Sequence, residues 1–234
     1  TLLINRFGGH SQRVVIDGVG TVHVMEMNSE GVHDTQRLPT GEWMPSRLVA
    51  DCFLYDAIGA RDGGLHLLCT SGRGHEYLRI ARDGSVTGMP VTISDDQVEL
   101  VAFAVGADDV VHFLWSPGYT ELYYFSLRSD GAFSPTERLH HGPSFISASF
   151  NPTLVVAASG EVHALWYSDR GLHYVTRSPE GQWRPNEALP GLPALDHVGV
   201  EIDDLGLIHV VAHGRKSGAT GGIEYFWIYL FKTQ

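Results

Sequence analysis

Five ionisable residues stand at or near the start of short apolar runs, and their types suit proton transfer. They are His10, Asp56, Glu99, His141 and His197. Carboxylates that lie close together shift one another's pKa values apart, which produces one acid and one base. An imidazole beside them can carry a proton near neutral pH. We therefore predict that these five residues are catalytic and perform acid–base chemistry.

A second set of residues is expected to bind the substrate around these groups. The set comprises Phe53, Phe150, Asp196, Glu201, His33, His75, Tyr123 and His173. Five residues each stand 13 positions before a histidine that recurs along the chain: His10, Phe53, Glu99, Phe150 and Asp196. Equivalent positions in a repeat protein lie at equivalent places in the fold. These five are predicted to form the wall of one pocket, with His33, His75, Tyr119, Tyr123 and His173 on an outer rim.

Three of the histidines also allow a metal site. His10, His141 and His197 stand before the first strands of the predicted repeats 1, 4 and 5, which are neighbours in a closed ring. Three imidazoles with an open fourth position suit zinc or another divalent ion. The acid–base chemistry requires no cofactor, so a divalent metal is an alternative rather than a necessity.

The elements that must position these residues are given by a repeat. A histidine between two apolar residues recurs at His23, His66, His112, His163 and His209, with gaps of 43, 46, 51 and 46 residues. A period of this size on a β-rich chain indicates a propeller or a solenoid. Each histidine follows a turn rich in Asp or Gly, which favour tight turns, and an apolar run lies on each side of that turn.

Each repeat reads as four antiparallel strands, so we predict an all-β, five-bladed β-propeller. The approximate blades are residues 13–50, 56–94, 100–140, 152–192, and 198–234 together with 1–8. The fifth repeat stops after its third strand at 223–231, and residues 2–7 supply the missing strand. The N-terminal strand is therefore predicted to complete the last blade and close the ring of a single domain, 1–234.

The repeated residues themselves are predicted to be structural. An imidazole on the second strand can bridge a backbone carbonyl and a turn carboxylate while its ring packs between sheets. Trp43, Phe133 and Trp183 follow a glycine near the start of the fourth strand and are expected to belong to the blade core. Blade 2 has Val86 at this position.

The repeated phrases also resemble a known family. Asp-Gly-x-Val-His-Val-x-Trp, then x-Tyr, then Gly-x-Trp is similar to the sialidase-like superfamily of BNR-type repeat propellers. Five repeats of this length also resemble five-bladed animal lectins and five-bladed glycosidases. The resemblance to the glycosidases implies carboxylates on the inner strands, for which Asp56, Glu99 and Glu201 are the nearest candidates.

Function is expected where the repeats differ. The scaffold repeats, whereas the residues before the first strands do not, which favours one asymmetric central pocket. The first hypothesis is an enzyme (a hydrolase, lyase, or isomerase or cyclase) acting on a glycan or small polyoxygenated molecule. The second is a lectin with one sugar site per blade, and the third is a protein-interaction platform. The glycine-rich segment 214–222 is a candidate lid or contact loop.

Composition narrows the partners. The chain has 16 basic and 27 acidic residues and a net charge of −11, which argues against nucleic acid as a partner. Its apolar runs are too short to span a membrane, so we expect a soluble monomer, secreted or cytoplasmic, that binds a small molecule or carbohydrate. Cys52 and Cys69 are interpreted as two buried thiols.

Overall fold

The computed structural model describes residues 12–71, 74–94, 100–141, 152–169, 171–189, 195–203, 207–217 and 223–232. Within these ranges the chain forms β-strands and turns and no helix, which confirms the all-β prediction. Every sheet is antiparallel, and its strands follow chain order. The backbone divides into two units, residues 1–97 and 98–234. In the described part of the chain, no helix is long and apolar enough to cross a membrane.

The first unit contains two four-stranded sheets. Their strands are β1 (Gln12–Ile16), β2 (Val22–Asn28), β3 (Gly31–Arg37), β4 (Arg47–Ala50), β5 (Phe53–Gly59), β6 (Leu65–Ser71), β7 (Gly74–Ile80) and β8 (Val86–Ser94). The first strands of the two sheets, β1 and β5, lie side by side. A Cβ on Gly59 would stand 2.3 Å from the carbonyl oxygen of Ile16, so glycine permits this close approach. Val15, Met25, Leu54 and Leu67 belong to one buried cluster that joins the sheets.

The second unit contains two four-stranded sheets and one of three described strands. The strands are β9 (Leu100–Val105), β10 (Val111–Ser116), β11 (Glu121–Leu127), β12 (Glu137–His141), β13 (Thr153–Val156), β14 (Val162–Ser168), β15 (Gly171–Arg177), β16 (Glu187–Leu189), β17 (Leu195–Ile202), β18 (Ile208–Ser217) and β19 (Ile223–Lys232). The first strands β9, β13 and β17 lie next to one another in that order. Residues 2–7, predicted to complete the last sheet, lie outside the described residues.

The repeated histidines are scaffold residues, as the sequence indicates, but most have a different partner. Nδ1 of His66, His112 and His163 lies 2.7, 2.7 and 2.8 Å from a tyrosine hydroxyl on the third strand of its own sheet. Among the described residues, the expected turn carboxylate lies within hydrogen-bond distance of the histidine Nε2 at Asp17 and Asp203, at 3.3 and 2.9 Å, and Glu161 lies 4.0 Å from Nε2 of His163. A tyrosine 11 or 12 residues after the histidine is the sequence signal for the commoner pair.

The aromatic residues before the fourth strand do not all lie in the core. Trp43, Phe133 and Trp183 form isolated bridges to the ends of the third strands and precede the fourth strands proper. Trp43 and Phe133 are 55% and 51% exposed, so the core assignment is wrong for these two. In the second sheet, which has Val86 at this position, β8 runs unbroken over nine residues.

Two further expectations require correction. Cys52 and Cys69 are joined in a disulfide with Cα atoms 5.8 Å apart and are not free thiols. The segment 214–222 is not wholly a loop, because residues 214–217 continue β18 and pair with the start of β19. The remainder of that segment, 218–222, lies outside the described residues.

Candidate functional site

The four-stranded sheets differ at the first residue of their third strands. Three third strands begin with a glycine, Gly31, Gly74 or Gly171, at φ values of 128°, 108° and 120°. A Cβ on Gly31 would meet the carbonyl oxygen of Ala50 at 2.3 Å, so a side chain does not fit there. The third sheet has a longer hairpin before β11, and this strand begins with Glu121. At the first position of the third strand, one sheet thus has an acidic side chain and the other three sheets have no side chain.

Three polar side chains surround the Glu121 carboxylate. The Tyr123 hydroxyl donates to Oε2 at 3.0 Å, and Nδ1 of His141 lies 3.0 Å from Oε1. The Arg138 guanidinium lies 3.8 Å from Oε1. We call Glu121, Tyr123, Arg138 and His141 the Glu121 cluster. It contains one predicted catalytic residue, His141, and one predicted binding residue, Tyr123.

Strand pairing explains how the cluster forms. Glu121 is opposite His141, and Tyr123 is opposite Arg138, in the ladder between β11 and β12. The register shifts between Leu122 and Tyr123, which is a β-bulge. Bulges redirect side chains and are common beside functional sites. Glu121 and Arg138 were missed from the sequence, although the replacement of the third-strand glycine by Glu121 is a signal that the repeat alignment contains.

The cluster is open to solvent on one side and apolar on the other. The side chains of His141 and Arg138 are 62% and 53% exposed, whereas Glu121 is 29% exposed. The Trp115 ring stacks on Tyr123 with centroids 4.9 Å apart. Burial, followed by the hydrogen bond and charge of Glu121, raises the pKa of the Tyr123 phenol. Tyr123 therefore stays protonated and acts as a hydrogen-bond donor.

Proton transfer is the chemistry that this arrangement supports. An ionised carboxylate only accepts hydrogen bonds, so Nδ1 of His141 carries the proton shared with Glu121. Nε2 is then the ring nitrogen that can contact a ligand. With the protons of His141 and Tyr123 both held by the carboxylate, the Nε2 lone pair of the imidazole is the proton acceptor offered to a hydroxyl-rich molecule, and the phenol oxygen of Tyr123 accepts a hydrogen bond from it.

Asp56, another predicted catalytic residue, lies in the first unit on the strand β5. The buried Arg13 guanidinium on β1 donates from Nε to Asp56 Oδ1 at 3.0 Å and from Nη2 to the Tyr55 carbonyl at 2.8 Å. The Asp56 side chain is 40% exposed, so one side of this first-strand carboxylate remains open. The ion pair ties the two first strands together and holds Asp56 in place.

The predicted binding residues of the first unit have different surroundings. Phe53 opens β5 and is 66% exposed, so in this unit it is a surface aromatic. His75 is buried on β7, where Nδ1 lies 3.2 Å from Thr70 Oγ1 and the ring meets Tyr55 edge-on. His33 on β3 is partly buried, with Nε2 3.6 Å from Glu30 Oε2. The structure does not gather these residues into one cluster with Asp56.

His173, in the second unit, is buried in its own network. Its Nε2 lies 2.8 Å from Ser168 Oγ, and its Nδ1 lies 2.9 Å from the Asn186 amide. Its ring stacks on the buried Trp166 at 5.1 Å. His173 occupies the same ladder position opposite the second strand as Tyr123, so the two are equivalent residues with different exposure.

The remaining predicted residues are described only in part. Glu201 is exposed on β17 opposite His209. Asp196 and His197 lie on the same strand, but their side chains are outside the described part of the structure. His10, Glu99 and Phe150 lie outside the described residues altogether, as does part of the His10, His141 and His197 metal set. Among the side chains that are described, no three His, Cys, Asp or Glu residues form a group that could hold a metal ion.

Comparison with known proteins supports the fold. No protein-family model and no curated protein matches the sequence. AofleA from Arthrobotrys oligospora is similar in structure, with a TM-score of 0.64 and 10% identity over 95% of this chain and 75% of its own. A catalytically inactive virginiamycin B lyase from Staphylococcus aureus, crystallised with quinupristin, is similar with a TM-score of 0.57 and 11% identity. The match covers 91% of this chain and 68% of the lyase chain. The NanB sialidase from Streptococcus pneumoniae has a TM-score of 0.57 and 12% identity, and the match covers 90% of this chain and 35% of the sialidase chain.

These similarities show a propeller-like, all-β scaffold that this chain shares with a lyase and a sialidase. They bear out the resemblance to sialidase-like propellers at the level of the scaffold. Identities of 12% or less carry no residue roles from those enzymes to this chain.

Proposed function

We propose that this chain is a five-bladed propeller, closed by residues 1–8, that performs acid–base chemistry on a glycan or another small polyoxygenated molecule at one asymmetric site. The observation that carries the proposal is the Glu121 carboxylate, which is bonded to both Tyr123 and His141 at 3.0 Å. It stands where three other repeats have a glycine. A feature confined to one repeat favours a single site over a ring of equivalent sites.

Each member of the cluster has a chemical role in this proposal. Nε2 of His141 accepts a proton from a substrate hydroxyl or water and then returns that proton to the leaving or rearranging oxygen, while Glu121 holds the Nδ1–H and stabilises the imidazolium formed in between. Burial and then Glu121 raise the pKa of Tyr123, so its hydroxyl stays protonated, donates to Glu121 and orients a substrate hydroxyl by accepting a hydrogen bond from it. Arg138 balances the charge of the carboxylate. Hydrolysis, elimination and isomerisation or cyclisation all use these steps.

A lectin is the second candidate, and the Trp115–Tyr123 stack favours it. Sugars place their C–H faces against aromatic rings and their hydroxyls against carboxylates and guanidinium groups. Trp115 and Tyr123 with Glu121 and Arg138 offer both kinds of contact without requiring a reaction.

The test is a glycan and polyol panel that is followed for both binding and product formation. If the proposal holds, one ligand class is converted, and Glu121→Gln lowers turnover by roughly a hundredfold or more, as is usual for an acid–base group. Glu180→Gln, an exposed carboxylate on a turn of the same unit, is the matched control and leaves turnover unchanged.

Two other outcomes separate the alternatives. Binding without conversion that is weakened by Glu121→Gln establishes a lectin that uses the Glu121 cluster. Turnover that survives Glu121→Gln but is abolished by Asp56→Asn overturns the assignment of the cluster and places the reaction at the first strands.

A further inference from the structure

The strand β12 has the Glu121 cluster on one side and the fourth sheet on the other. His141 and Arg138 lie 3.0 and 3.8 Å from Glu121 Oε1. Glu137, at the start of the strand, and His140, next to its end, contact residues of the fourth sheet. Because β12 lies at the edge of its own sheet, the fourth sheet is its second support besides β11.

The His140 ring packs against two rings of the fourth sheet. It meets Trp166 edge-on with centroids 6.1 Å apart, and its centroid lies 5.8 Å from that of His173. Trp166 is 0% and His173 5% exposed, so both rings belong to the packed interior of the second unit. Leu139 packs against the same core, which includes Leu122 and Trp166. His140 therefore has an apolar contact on the side of β12 opposite to the cluster.

The bulge in β12 decides which histidine reaches Glu121. Leu139 is the extra residue of this bulge, because the residues before and after it pair with consecutive residues of β11. A regular ladder counted from Arg138 would place His140 opposite Glu121 and turn His141 to the other face, since a shift of one residue reverses the side chains. The observed register instead gives His140 to the fourth sheet and His141 to the cluster.

The bulge recurs in the first two sheets, but the residue after it differs. Val49 and Ile93 are the extra residues there, and they are 5% and 9% exposed. They are followed by Ala50 and Ser94, which are small, whereas the third sheet has the large ring of His140. Among these three sheets, the ring thus occurs in the one that carries the candidate site.

We infer that His140 is a positioning residue for His141, because its packing on Trp166 and His173 holds the register in which His141 Nδ1 meets Glu121. The hydrogen bond between His141 and Glu121 lies near the surface, where such a contact contributes little to ordering a strand. The order of β12 then depends on its other side, where His140 packs against buried rings. This role rests on the proposed function, since the placement of His141 matters to a reaction only if the Glu121 cluster is the site.

The tautomer of His141 in the ligand-free protein tests the inference. A neutral imidazole carries its proton on the nitrogen that donates a hydrogen bond, so the contact with Glu121 favours the Nδ1–H form. Long-range ¹H–¹⁵N spectra, recorded above the pH at which His141 titrates, give the ratio of the two tautomers. His141→Gln assigns the signals, and Glu121→Ala provides the ratio for a ring without this contact.

Two substitutions of His140 make the outcome decisive. His140→Ala removes the ring, and the ratio of Nδ1–H to Nε2–H at His141 is expected to fall roughly threefold or more, as the loss of one ordinary hydrogen bond implies. His140→Phe keeps a flat ring against Trp166 and is expected to keep the wild-type ratio. An unchanged ratio in His140→Ala, or an equal fall in both variants, overturns the inference.

The Glu121→Ala variant separates this inference from the proposed function. If Glu121→Ala changes the tautomer of His141 and His140→Ala does not, the positioning role fails and the Glu121 cluster stands. If Glu121→Ala leaves the tautomer unchanged, the hydrogen bond of the cluster is absent in solution, and both fail. For a ligand that the panel shows to be converted, His140→Ala is expected to lower turnover, whereas His140→Phe stays close to the wild type.

Discussion

Histidines at equivalent positions in the repeats have different electrostatic surroundings. Burial, reinforced by the charge of Arg79, lowers the pKa of His66 to about 4. Burial also lowers the pKa of His112 to about 4, and Arg177 adds to the effect while Asp108 opposes it. Each ring therefore stays neutral and exchanges a hydrogen bond with a tyrosine hydroxyl.

The protein is predicted to lose stability as the pH falls from about 6.5 to 4, because the unfolded histidines bind protons that the folded ones reject. Each histidine contributes on the order of 3 kcal/mol across that window. Urea unfolding at several pH values measures the slope. His112→Gln removes one such group. Measured from its own value at neutral pH, the free energy of unfolding of this variant should therefore fall less steeply with decreasing pH than that of the wild type. An unchanged slope would show that the pKa of His112 does not differ between the folded and the unfolded protein.

At the scale of the sheet, the first sheet has an ionic network in place of the histidine–tyrosine pair. His23 lies between Asp34 and Asp17, with Nδ1 3.1 Å from Asp34 and Nε2 3.3 Å from Asp17. Gln36 and Arg47 also contact Asp34, at 2.8 and 3.5 Å. Burial works to lower the pKa of His23, but Asp34 and then Asp17 outweigh it and raise the pKa.

The stability that His23 contributes is therefore present at low pH and is lost as the pH rises through its folded pKa, opposite in sign to His112. Asp34→Asn should lower the pKa of His23 more than Asp17→Asn, because Asp34 makes the larger contribution. A ¹H–¹⁵N imidazole titration of both variants gives the comparison. An equal or reversed effect of the two substitutions would contradict this account of the network.

The disulfide stabilises the second sheet at its first two strands. Cys52 precedes β5, Cys69 lies on β6, and the two are 17 residues apart. Closing a loop of this length should contribute about 3 kcal/mol, mainly by restricting the unfolded chain. Reductant should lower the free energy of unfolding by that amount, as measured in urea. The double variant Cys52→Ala and Cys69→Ala should no longer respond to reductant. A wild-type protein that is equally stable with and without reductant would show that the bond does not form.

At the scale of the whole molecule, the spacing of the repeated histidines predicted where most of the four-stranded sheets begin and end. The expected blade 13–50 corresponds to strands from Gln12 to Ala50, and 100–140 corresponds to strands from Leu100 to His141. The period succeeds because each histidine marks the same point on a second strand. It cannot show which chain positions meet across a bulge, such as the shift between Leu122 and Tyr123 that places Tyr123 opposite Arg138.

The histidine spacing also does not show which residues meet at the candidate site or which side chains are exposed. His141 was predicted from its place before a first strand, yet it ends β12 and pairs with Glu121, a contact made through a fourth strand. The Cys52–Cys69 bond likewise depends on the register of β5 and β6, in which Leu54 is opposite Cys69. The exposure of Trp43 depends on what lies next to its sheet, which a repeat motif does not encode.

A crystal structure of the protein soaked with a panel of small sugars and divalent ions tests the central claim most directly. The account predicts one ligand per chain, with its oxygens within hydrogen-bond distance of Glu121 and of Tyr123 or His141. Ligands distributed over equivalent positions of several blades would contradict a single asymmetric site, and so would a ligand or ion that makes no contact with the Glu121 cluster.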